Sequence, residues 1–74
     1  MSKYLYTSQK QVRAAFWREN PGVVRRRVDG LHGQPVTARQ NQQPADTRAA
    51  FVVFVDQLER NGTISERLAA MVTL

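Results

Sequence analysis

The sequence contains no cysteine, one histidine and one tryptophan, and each scarcity excludes something. Without cysteine there is no disulfide, no thiolate nucleophile and no zinc site of the usual Cys/His kind. His32 has no second histidine with which to hold a metal. The longest apolar run, residues 49–55, falls far below the ~20 residues a membrane-spanning helix needs. The opening Met1-Ser2-Lys3-Tyr4-Leu5-Tyr6 has no apolar stretch of the length a secretory signal requires. A cytoplasmic protein that does not enter the membrane is therefore expected. What remains is a chain of 74 residues, 42% of them apolar. That suffices for one small folded domain spanning residues 1–74 and is too short for two.

The net charge of +5 is unevenly spread. Residues 1–39 carry eight bases against Glu19 and Asp29, whereas residues 40–74 carry three bases against four acids. The excess thus lies wholly in the N-terminal half and is mostly arginine, whose planar fork suits carboxylate and phosphate partners. Such a half-basic chain points to an acidic protein or a nucleic acid as partner. The plainer alternative is that the arginines are solvated, or cover apolar surface with their stems.

Along the chain, Ser8 with Gln11 three residues later forms a capping-box pattern, and Asn20-Pro21-Gly22 is a stop. A first helix is expected over about residues 8–19, with Val12, Ala15 and Phe16 on one face and Lys10, Arg13 and Trp17 on another. Residues 21–31 fit a second helix, with Val24, Val28 and Leu31 in register, better than an edge strand, because no clear partner strand follows. Residues 32–45 hold two prolines and four glutamines, with Val36 the only large apolar side chain. They predict a long mobile loop. A third helix over residues 46–61, capped by Asp46 or Thr47 and closed by Gly62, carries the stripe Phe51, Phe54, Val55 and Leu58. A second capping box at Thr63-Ile64-Ser65-Glu66 opens a last helix over residues 64–72, with Ile64, Leu68 and Met71 on one face, and the two form an αα-hairpin around Asn61-Gly62. The expected fold is a small all-α domain of three to four helices.

Little supports catalysis. The serines are Ser2, Ser8 and Ser65, and the last two are accounted for as caps. His32 sits in a Gly/Pro segment without rigid support, and catalytic groups need positioning. Asp56 and Glu59 share a helix flank beside Arg60, which reads as a solvated ion-paired face. Gly22, Gly30, Gly33 and Gly62 are isolated and form no phosphate cradle. No enzyme activity, cofactor or metal is expected.

Binding is better supported. Lys10, Arg13, Trp17, Arg25, Arg26 and Arg27 are the candidate partner-binding residues, because the bases can neutralise anionic groups and the indole can stack or pack. Val52 and Val53 stand off the main stripe, and Val72 and Leu74 extend the apolar surface. At ~25 cal/mol per Å2, leaving them wet wastes stability that a small domain lacks. A homodimer joined through Val52, Val53, Val72 and Leu74 would cover them, as would a tight monomer wrapped around the third helix.

Residues 58–74, LERNGTISERLAAMVTL, resemble the opening of the winged-helix domain of leucine-responsive and asparagine-type regulators: a helix, Asn-Gly, Ile-Ser, then Leu-Ala and a Val-x-Leu ending. Ile64 to Leu68 is one residue shorter than the family spacing, and no recognition helix follows, so the likeness is taken as shared αα-hairpin grammar without DNA reading. The expectation is a small non-enzymatic binding or regulatory protein. It would act through its basic N-terminal surface and an apolar helix face on an acidic protein, with phosphate-backbone binding to nucleic acid as the alternative.

Overall fold

The structure is a computed structural model that describes residues 3–74; Ser2 lies outside the described residues. The first helix, α1 (Gln9–Glu19), begins where its capping box places it. The Ser8 hydroxyl accepts from the Gln11 N–H, and the Gln11 side-chain carbonyl accepts in return from the N–H groups of Ser8 and Thr7 at 3.2 and 2.8 Å. At the other end both the backbone and the side-chain N–H of Asn20 donate to the Phe16 carbonyl, and Pro21 follows. Val12, Ala15 and Phe16 are buried.

Residues 21–45 depart from expectation. Instead of a second helix and a mobile loop, the chain turns at residues 20–23 and forms strand β1 (Arg27–Asp29). It then reverses through a 3-10 turn (Leu31–Gly33) and pairs antiparallel with β2 (Pro35–Thr37), Val28 facing Val36. Val24 and Leu31, two members of the expected helical stripe, are exposed. Helix is displaced here by bonds made far along the chain. The Thr47 hydroxyl donates to the Val24 carbonyl at 2.6 Å, and the Gln43 side-chain amide is spliced into the ladder beyond Arg27. Its carbonyl accepts from the Arg26 N–H (2.9 Å), and its NH2 donates to the carbonyls of Arg26 and Ala38 (3.1 and 2.8 Å). Gln43, Thr47 and Ala38 are all buried. Buried amides and hydroxyls must be paired, and here their partners are the backbone groups that a helix would have consumed. Gly30 closes the hairpin because a Cβ there would lie 2.7 Å from a Val36 methyl.

Helix α2 (Ala45–Arg60) starts without the expected side-chain cap. Pro44 is its N-cap, and Thr47 is turned to Val24 instead. Its C-terminus is a Schellman turn: Gly62 adopts φ +72°, its N–H donates to Glu59, and the Thr63 N–H donates to Leu58 at 2.9 Å. The Thr63 carbonyl then accepts from the N–H groups of both Leu5 and Tyr6, docking the leader on this corner. Helix α3 (Glu66–Met71) is capped by Ser65, whose hydroxyl accepts from Leu68. With six residues against sixteen in α2, α3 is too short to be the second arm of an αα-hairpin. The described residues thus form three α-helices and a two-stranded sheet, so the all-α expectation is corrected.

One core unites the helices: Val12 and Phe16 from α1, Phe51 and Val55 from α2, then Ile64, Leu68, Val72 and Leu74. Phe16 meets Phe51 edge to face at 5.1 Å, an arrangement worth about 0.5–1.5 kcal/mol beyond the area it buries. Met71, expected inside, is exposed. Val72 and Leu74, expected on an oligomer interface, are enclosed by the chain itself, each 8% exposed. The reason is a change of period. The helix ends at Met71 and Val72 is extended, so alternate residues 72 and 74 point inward while Thr73 points out.

Candidate functional site

Five of the six partner-binding residues expected from sequence come together on a belt across α1 and the hairpin. Lys10, Arg13 and Trp17 follow one another at helical spacing on α1. The Arg13 guanidinium donates to the Thr73 carbonyl at 3.0 Å, and Arg39 lies beside it, lining the same shallow concavity of about 360 Å3 with Thr37, Ala38 and Leu74. Thr37 links this end of the belt to the next base, because its hydroxyl accepts from Arg25 Nε at 2.7 Å. The Arg25 guanidinium in turn lies 5.0 Å from the centre of the Trp17 ring, a cation–π contact that covers one face of the indole. Arg27 sits opposite Thr37 in the strand register and is exposed.

Arg26 is separated from this group. Strand alternation turns its side chain away from Arg25 and Arg27, and it donates to the Gln42 carbonyl at 2.9 Å. Trp17 is half-buried and packs edge-on against Phe16 at 4.8 Å, so the indole serves the core with one face and the belt with the other. Arg39 and Thr37 were missed in the sequence because they belong to a segment with loop composition. Only the pairing of β2 with β1 brings them beside Arg13 and Arg25.

The belt is electrostatically one-sided. Among the described residues, the ion pairs are Arg18–Glu19 at 4.0 Å and Arg60–Asp56 at 3.0 Å, both exposed. Lys10, Arg13, Arg25, Arg27 and Arg39 therefore face no carboxylate within 4.0 Å among the described residues. The hydrogen bonds of Arg13 and Arg25 go to neutral carbonyl and hydroxyl oxygens, which orient these two guanidinium groups without cancelling their charge. Elsewhere, Val52 and Val53 on α2 are 63% and 56% exposed. Beside them runs a groove lined by Asn20, Ala49, Ala50, Val53, Phe54 and Gln57.

His32 lies at the exposed tip of the hairpin with φ +64°. Among the described residues, no group of three or more His, Asp or Glu side chains is placed to hold a metal, and no helix is long and apolar enough to cross a membrane. Comparison with protein-family models finds no match, and comparisons with curated proteins and with solved structures find no similar chain.

Proposed function

We propose that this chain is a non-enzymatic binding protein whose basic belt docks onto an acidic surface of a protein partner. The observation that carries the reading is the row Lys10, Arg13, Arg39, Arg25 and Arg27, in which neutral acceptors orient Arg13 and Arg25 and none of the five pairs with a carboxylate among the described residues. The two guanidinium forks fixed in this way, Arg13 and Arg25, lose less freedom on binding than mobile ones, and each can match a carboxylate in two-point fashion. A protein partner is favoured over a nucleic acid by Trp17. The indole face that would stack a base is already covered by Arg25.

The nucleic-acid reading keeps one specific support: Arg25 and Arg27 flank Thr37 on a two-stranded ribbon, an element that other proteins lay along a duplex. One titration separates the two. A glutamate-rich peptide and a mixed-sequence DNA duplex are each added at low and at physiological salt. The expected result is saturable peptide binding that persists at physiological salt and weakens about tenfold in the Arg27→Glu/Arg39→Glu double variant, with the duplex held only at low salt. Duplex binding that outlasts peptide binding at physiological salt would replace the protein partner with nucleic acid. Failure of both at low salt would end the belt as a docking surface.

A further inference from the structure

We infer that the outward face of α2 is a self-complementary seam on which a second copy of this chain packs antiparallel, with the twofold axis passing beside Val53. Asp46, Ala49, Val53, Gln57 and Arg60 recur at intervals of three and four residues along one side of the sixteen-residue helix, and all are exposed. In an antiparallel pair centred on Val53, positions equally far before and after it meet. Val53 then packs on Val53 of the second copy, and Asp46, seven residues before, meets Arg60 of the second copy, seven residues after. At the intermediate levels the small Ala49 and Ala50 face the longer Asp56 and Gln57, which lets the helices approach closely. The groove beside Val53, floored by Ala50 and Phe54 and both half-buried, supplies the recess.

Charge decides the direction. A parallel pairing would bring Asp46 to Asp46, Asp56 to Asp56 and Arg60 to Arg60, like against like at every charged level. The antiparallel one forms two Asp46–Arg60 pairs, and Arg60 keeps its own Asp56 at 3.0 Å alongside. Arg48 and Glu59 fall on the flanks and add no like-charge contact. A helix of sixteen residues is about 24 Å long, so the seam buries less than the roughly 800 Å2 per partner of a standard interface. The dimer is accordingly weak and concentration-dependent. None of the belt residues lies in the seam, so this inference stands apart from the proposed acidic partner.

The test is sedimentation equilibrium of the full chain from roughly 10 µM to 1 mM, the range in which weak dimers dissociate. The wild type is expected to pass from monomer to dimer, and Val53→Lys to remain monomeric. Asp46→Arg alone and Arg60→Asp alone each place like charges at both ends of the seam, and each weakens self-association at least tenfold. Mixed in equal amounts, these two variants restore both opposite-charge pairs and associate with each other as tightly as the wild type. Circular dichroism of each variant, expected to match the wild type, separates lost association from lost folding. A wild type that stays monomeric at 1 mM overturns the inference, as does a Val53→Lys dimer, or single charge variants whose mixture shows no recovery.

Discussion

The helical part of the molecule and the hairpin segment between α1 and α2 are held together by different physics. In the helices the binding energy comes from apolar side chains at helical spacing: Val12 and Phe16 against Phe51 and Val55, closed by Ile64, Leu68, Val72 and Leu74. In residues 20–44 it comes from polar side chains reaching backbone groups, with Gln43 bridging Arg26 and Ala38, Thr47 holding Val24, and Arg26 holding Gln42. Apolar burial tolerates small shifts, because dispersion and transfer are non-directional. Buried hydrogen bonds do not, because a lost partner leaves a desolvated group unpaired. The first region should therefore yield as a whole and the second in pieces.

Breaking the helical side gives the largest effect. Phe51→Ala should cost about 3–5 kcal/mol, close to the whole stability a domain of this size commands. Circular dichroism should show the variant unfolded or melting near room temperature; a stable, cooperatively melting variant would mean the aromatic cluster is not the organising core. Gln43→Ala comes next, at about 2–3 kcal/mol, since it strands the Arg26 N–H and the Ala38 carbonyl together. Amide hydrogen exchange should show lost protection at residues 26–38 while α1 and α2 remain protected. Uniform loss across the chain would erase the distinction between the two regions. The smallest effect is a gain. His32 holds a left-handed backbone at φ +64° without being glycine. His32→Gly should relieve that cost, offset in part by the freedom glycine adds to the unfolded chain. The net gain is about 0.5 kcal/mol, read as a midpoint raised by roughly 2–4 °C.

The same contrast explains what the sequence disclosed. The Ser8/Gln11 box and the stripe through Phe51, Phe54, Val55 and Leu58 are local patterns, and the helices that carry them lie within a residue or two of where those patterns place them. The hairpin left no such trace. Its strands are three residues long, with Val28 and Val36 as their single apolar pair, too short for a period of two to register. Its determinants act across long separations: Gln43 to Arg26 spans 17 residues and Thr47 to Val24 spans 23. Reading Thr47 as a helix cap used the local rule where a distant carbonyl was the stronger bidder. The belt was legible in its residues and illegible in its shape, since Arg39 joins it only through the hairpin and Arg26 leaves it for the same reason. Val52 and Val53 stand exposed, as their position off the stripe implies, whereas Val72 and Leu74 turn inward because helical spacing ends at Met71 and the extended residues beyond it alternate.

The guanidinium of Arg25 above the ring of Trp17 has an optical consequence. With one tryptophan in the chain, all indole emission originates beside the belt, and it carries no background from elsewhere in the molecule. If the proposed belt binds an anion that draws Arg25 away, the ring is uncovered and the wavelength and quenching of that light change, so occupancy of the basic surface would be readable without any added label.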